Sequence, residues 1–297
     1  MKKPLFLLSS FLLCNLFLFP QGFYVEPYYS RSFALEKSDF VYKSNTIEVY
    51  FNDSVSERYS VNVYHYSLGT GNNYGLTAGY VFSKKIIGIE LDFRYFKGKT
   101  LNFSSQDYLY FPQAPSYRVE FNYDYSLKSS FFSITPSLKL ALSKNKWGFF
   151  LKTGLLIARC SIFYETNTWI YNTLPDYNYF EYYTAGVQYK PKWQTGIQGM
   201  IGGEYHLFDW LSFNVGLQYN SLGYRPESAR VTEYKYRGED KLDELTISEK
   251  EWIFSDSYSS KTNNNKNTPT IMDAVTYTFS NIAIHIGARF HIIKKRK

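Results

Sequence analysis

Between Tyr74 and Phe96 the chain alternates apolar and polar residues with a period of two. Ile87, Ile89, Leu91, Phe93 and Tyr95 hold the odd positions, and Gly88, Glu90, Asp92 and Arg94 hold the even ones between them. A β-strand sends successive side chains to opposite faces. One face of this strand is therefore wholly apolar and the other carries three charges. Tyr74, Leu76, Ala78, Tyr80 and Phe82 repeat the pattern against Gly75, Thr77 and Gly79, and Ser83–Lys85 joins the two strands as a hairpin. A soluble sandwich alternates in the same way. What separates this chain from one is repetition of the hairpin behind an export signal.

The repeats run the length of the sequence. Phe23, Val25, Pro27 and Tyr29 oppose Tyr24, Glu26, Tyr28 and Ser30, with the ladder weakened at Pro27, which has no N–H to donate. Further strands place Phe132, Ile134, Leu138 and Leu140 against Ser133, Ser137 and Lys139, and Phe149, Leu151 and Leu155 against Lys152 and Gly154. Ile197, Ile201 and Tyr205 oppose Gln198, Glu204 and His206; Phe213, Val215 and Leu217 oppose Ser212, Asn214 and Gln218. In the last strand Ile282, Ile284, Ile286, Phe290 and Ile292 alternate with His285, Gly287, Arg289 and His291. Val275, Tyr277 and Phe279 have the other parity, which predicts a bulge near Ser280–Asn281.

The connections also alternate. Ser83–Lys85, Ser143–Lys146 and Phe208–Trp210 are short, whereas Arg31–Asn73, Lys97–Asp124, Arg159–Lys192 and Gly223–Asp273 are long and polar. This predicts an all-β fold: a transmembrane antiparallel up-and-down β-barrel of eight strands, with long extracellular loops and short periplasmic turns. Ile47–Phe51 and Tyr59–Tyr66 alternate weakly and would make ten strands if drawn into the membrane. The strand lengths suit the about 9–11 residues that a tilted strand needs to cross a bilayer.

At the start, Lys2 and Lys3 precede an apolar run from Leu5 to Phe19, the layout of a secretory signal peptide over residues 1–21. Residues 22–293 are then the barrel, and 294–297 a basic periplasmic tail. Leu13 stands before Cys14 where lipoprotein processing wants a small residue. Past the signal, Cys160 is the only cysteine, so no intramolecular disulfide can staple an exported chain. Thirty Tyr and 25 Phe accompany a mean hydropathy of −0.34, a combination that fits aromatic girdles and Tyr-rich loops. The net charge of +7 is mostly terminal: without Lys2, Lys3 and the last four residues, 27 bases face 26 acids. A nearly neutral body has no electrostatic footprint for nucleic acid.

From Gly22 to Ile292 the chain resembles the small outer-membrane β-barrel family of diderm bacteria, the OmpA-, OmpX- and opacity-protein-like group. The resemblance rests on GFYVEP after the signal, the LTAGYVF–SKK–IGIELDFRY hairpin, SITPSLKL and the closing strand. That strand is similar to the signal read by the outer-membrane assembly machinery, with His285, Gly287, Phe290 and Ile292 at its marked positions. Family members usually end on the aromatic residue, whereas this chain continues through Ile293 and a basic tail. The resemblance implies location in the outer membrane of a diderm bacterium, contact with outer-membrane lipid or lipopolysaccharide, and a monomer. A shared fold does not supply a function.

The interior of an eight-stranded barrel is just wide enough for side chains to fill. Its charges would be Glu26, Glu90, Asp92 and Glu204 against Arg94, Lys139, Lys152 and Arg289, a balanced set that favours a paired plug. The alternative is a narrow gated, porin-like pore with this network as its gate. His65-Tyr66-Ser67 superficially resembles the His-x-Ser pair of outer-membrane lipid A deacylases, but lies in the first loop instead of on a late strand. His206, His285 and His291 point inward near the periplasmic rim without a Cys or second-strand carboxylate at clear ligand spacing. No cofactor, metal site or enzymatic activity is expected. Tyrosines such as Tyr123, Tyr125, Tyr182 and Tyr183 crowd the loops, and Tyr is enriched at recognition surfaces. The sequence therefore reads as a binding, adhesion or structural component acting on a surface ligand through its loops.

Overall fold

The computed structural model describes residues 22–35, 38–40, 47–51, 55–59, 64–66, 68–82, 86–110, 118–174, 177–256 and 265–292. The predicted signal peptide, residues 83–85 and the predicted basic tail lie outside them. The described chain is nearly all β, and most of its strands join one large sheet. No helix among the described residues is long and apolar enough to cross a membrane.

Eight strands carry the alternation read above: β1 (Phe23–Ala34), β2 (Gly71–Val81), β3 (Ile87–Gly98), β4 (Arg118–Lys144), β5 (Trp147–Leu174), β6 (Lys192–Phe208), β7 (Leu211–Tyr224) and β8 (Asn281–His291). Each pairs antiparallel with the next, β1 with β2 from Phe23↔Tyr80 to Ser32↔Gly71 and β7 with β8 from Leu211↔Phe290 to Asn220↔Asn281. β8 also pairs with β1, from Tyr24↔His291 to Ala34↔Asn281, and that ladder skips Glu26 and Pro27. The proline ring removes one donor there. The Val81↔Gly88 end of the β2–β3 ladder and the turns 145–146 and 209–210 fall at one end. Asn145 takes φ 58 in one of the two two-residue turns, a left-handed conformation that Asn tolerates.

The predicted long loops are largely strand. β4 and β5 run 27 and 28 residues and stay paired out to Asn172↔Val119. Beyond Ser161 the other edge of β5 passes from β6 to Tyr177–Tyr189, which in turn pairs with Ser228–Tyr236. Tyr, Phe and Thr favour extended, half-buried surfaces, so segments polar in composition still propagate the ladder. Ile47–Phe51 pairs with Val55–Tyr59, which pairs with Leu101–Tyr110; the hairpin does not come between β1 and β2. Nor is there a bulge at Ser280–Asn281. Tyr277, Phe279, Asn281 and Ala283 are all buried on one parity, so the two apolar residues of the upstream piece face the core instead of switching sides.

Both faces of the eight strands are ordered by level. On the outward face, an apolar band of Ile, Leu, Val and Phe side chains lies exposed on every strand, including Leu76, Ile89, Leu138, Leu151, Ile201, Leu217 and Ile284. Aromatic residues flank it: Phe82, Trp147, Phe149, Phe208, Trp210 and Phe290 toward the short turns, and Tyr29, Tyr74, Tyr95, Phe132, Trp193 and Tyr219 toward the other end. The buried face begins near the short turns with charges. Amides and hydroxyls follow, among them Gln198, Gln218, Asn220, Asn73 and Asn281. It closes on an apolar layer in which Phe96, Phe131, Leu156, Cys160, Leu222 and Phe279 pack together.

Candidate functional site

All eight predicted interior charges are buried, none more than 6 % exposed. Their spacing follows from strand parity and register. Glu90 and Lys139 sit on neighbouring β3 and β4, Lys152 and Glu204 on β5 and β6, and Arg289 and Glu26 on β8 and β1. The register gathers six of them into one group. Arg289 donates to Glu26 through Nε (2.9 Å) and Nη2 (2.6 Å) and through Nη1 to Glu204. Lys139 lies 3.3 Å from Glu204 and 3.9 Å from Glu90, whose other oxygen takes Lys152 at 2.7 Å. Asp92 and Arg94 form a separate pair at 2.8 Å one level further in. Arg94 is completed by neutral groups, donating to Tyr28 (3.1 Å), Asn220 (2.9 Å) and Gln198, while Thr77 donates to Asp92. Three acids meet three bases in the larger group and one meets one in the smaller, so no charge is stranded.

Aromatic rings that sequence reasoning passed over complete the network. Tyr24 donates its hydroxyl to Glu90 and lies under Arg289, whose guanidinium carbon is 4.3 Å from the ring centroid. Phe150 sits beneath both lysines, 5.1 Å from Lys139 and 5.3 Å from Lys152. Their inward parity was the available signal. Small residues opposite make room: a β-carbon at Gly79 would fall on the Tyr24 ring, and one at Gly75 on the Tyr28 ring.

Of the closing-strand residues, His285 and Gly287 are buried, whereas Phe290 and Ile292 are exposed on the apolar outward face. His285 Nε2 is 3.2 Å from Glu26. His206 and His291 have a carboxylate companion after all. Glu204 Oε1 is 3.8 Å from each, because β6 returns Glu204 to the same level as β8. His65 lies in the short strand Tyr64–Tyr66, paired with Ser38–Phe40, and Ser67 is outside the described residues.

Beyond the apolar band, the extended ladder carries its tyrosines in register. Tyr125 stacks on Phe103 at 4.8 Å and on Tyr164 at 5.7 Å, and Tyr123 stacks on Tyr125 at 6.0 Å. Tyr183 packs on Tyr236 at 5.0 Å. Its hydroxyl donates to Glu181 at 2.5 Å, and desolvation together with that carboxylate holds the phenol above its usual pKa. Val187, Ala229 and Val231 form a small apolar core under this platform. No protein-family model matches the chain, and no curated protein matches it in sequence.

Proposed function

We propose that the chain is a monomeric integral outer-membrane β-barrel of eight strands that works through its surface extension as a binding or adhesion component and performs no chemistry. The pairing of β8 back onto β1 supports closure, which leaves no strand edge in lipid. The apolar outward band between two aromatic belts supports the membrane setting, since such girdles sit at the two interfaces. Direct pairing of β1 with β2 favours eight strands over ten. The charge-matched layer and the apolar layer above it argue against a pore.

The observation that carries the functional reading is the length of β4 and β5. Twenty-seven residues span about 90 Å at roughly 3.3 Å per residue, whereas a tilted crossing needs only about 9–11 residues. The excess presents stacked tyrosines on a paired, preorganised scaffold, which binds partners at low entropic cost. The test is to replace residues 99–130 and 161–191, separately and together, with short Gly-Ser turns. Loss of adhesion or ligand capture by expressing cells, with heat-modified gel migration intact, supports the proposal. Unchanged adhesion in the doubly shortened protein overturns it. So does loss of an acyl chain from lipid A in expressing cells that His65→Ala abolishes.

A further inference from the structure

The end of the molecule that carries the short turns opens into a cavity of about 470 Å³ lined by residues including Glu204, His206, Arg289 and His291. Glu204 and His206 are two residues apart on β6 and so share its inward face. His291 comes from the last position of β8, and Ser212 of β7 sits between them. From these groups we infer a binding site for one divalent late first-row transition metal of the zinc class, on Glu204, His206 and His291. The site stands on side-chain geometry alone and does not depend on the surface-binding reading.

Three features carry it. The three ligand atoms lie within 4.8 Å of one another, with Glu204 Oε1 3.8 Å from both His206 Nδ1 and His291 Nε2. Zinc bonds of about 2.0–2.1 Å in a tetrahedron put ligand atoms roughly 3.4 Å apart, so closing on an ion takes movements of a few tenths of an ångström to about an ångström. Second, Glu204 divides its oxygens. Oε2 takes Arg289 and Lys139 (3.3 Å), which fixes the carboxylate, and Oε1 is left facing the imidazoles. An outer shell that orients the ligands in this way is the usual support of a metal site. Third, Ser212 Oγ lies 2.7 Å from His206 Nδ1 and 2.9 Å from His291 Nε2, so both nitrogens converge on one place. The hydroxyl donates to one ring and accepts an N–H from the other, and an ion takes the two nitrogens by displacing these bonds and one imidazole proton.

The chemistry of the donors selects the ion. Lys139 and Arg289 offset the single carboxylate, so net charge does not draw a cation here and the two imidazole lone pairs must carry the binding. Imidazole suits zinc, copper, nickel and cobalt, whereas magnesium and calcium require oxygen ligands. The histidine side chains are 32 % and 23 % exposed, which gives an ion a path in and leaves a coordination position open to water or a small anion.

The test uses the full mature chain folded in detergent, with a purification tag free of histidine, titrated with Zn²⁺ or Co²⁺ alone. One equivalent should bind, Co²⁺ should develop visible absorption bands of low-coordinate nitrogen and oxygen ligation, and excess Mg²⁺ should not compete. His206→Ala and His291→Ala should each weaken binding by at least about tenfold and erase the Co²⁺ bands, while keeping heat-modified migration. His65→Ala should bind as the parent does. Absence of Co²⁺ bands in the parent overturns the assignment. So does undiminished binding by the folded double variant His206→Ala/His291→Ala, or loss of binding in His65→Ala.

Discussion

Arg289→Met removes the side chain that joins the buried carboxylates of Glu26 and Glu204. It deletes three charge-assisted hydrogen bonds and leaves Glu26 with only His285, 3.2 Å away, while Glu204 keeps Lys139 at 3.3 Å. Three acids then face two bases in a space with almost no solvent. Removing one partner of a buried pair costs about 3–5 kcal/mol, chiefly because the other charge stays buried. The exposed pair Lys128–Glu165, also at 3.3 Å, sets the scale for comparison, and Lys128→Met should cost about 0–1 kcal/mol. Adding Glu26→Gln to Arg289→Met removes the stranded acid, and should recover part of the loss through a coupling of about 1–3 kcal/mol. Exchanging the two charges should not, because a carboxylate at position 289 would face Glu204. The midpoint of urea unfolding in detergent, followed by tryptophan fluorescence, reads the parent, each of these variants and the Glu26→Gln single change that completes the cycle. Equal midpoints for the parent and Arg289→Met, or strictly additive effects in the double variant, would refute the network as a stabilising unit.

Planar bilayers containing the purified protein should show no stable conductance; regular single-channel steps that change in Glu90→Gln or Lys152→Gln would establish the pore instead. Gly79→Ala should destabilise by about 1–3 kcal/mol, since its β-carbon meets the Tyr24 ring against an interior with no slack, and a neutral result in the same urea assay would show that the ring can move. In the one-turn helix Ile247–Lys250, the Glu249 carboxylate accepts from the Thr246 amide and hydroxyl, both at 2.7 Å, and the amide bond holds its pKa below the usual carboxylate range. A depressed folded pKa gives stability that is complete above the unfolded value and lost as pH falls through the folded one. Hydrogen-exchange protection at residues 246–250, measured against the intrinsic rate at each pH, should therefore fall on acidification below the ordinary Glu range, and Glu249→Gln should abolish that pH dependence.

The strands nearest the short turns were legible because each must satisfy two different surroundings at once. Glu90, Asp92 and Arg94 cannot share a face with Leu91 and Phe93, so period two is forced and parity alone identifies the buried charges. That constraint lapses beyond the apolar band, where both faces meet water. Tyr123, Tyr125 and Tyr164 therefore read as loop although they lie in continuous ladders. Parity also misled at Tyr277 and Phe279, where apolar residues occupy the inward face because the core there is itself apolar. The meeting of Glu204 with His291 depends on the register of β6, β7 and β8, and no local spacing encodes it.

Cys160 takes on a second meaning from its place in the apolar layer. It is fully buried and, Cys14 aside, the only cysteine of the chain, in one apolar cluster with Leu156 and Ile162 of its own strand, Phe131 of β4 and Leu222 of the distant β7. An alkylating reagent can reach it only before those strands close around it. The native chain thus carries a built-in clock for its own assembly: the interval during which the thiol still reacts is the time the sheet takes to seal, measurable in the unaltered protein.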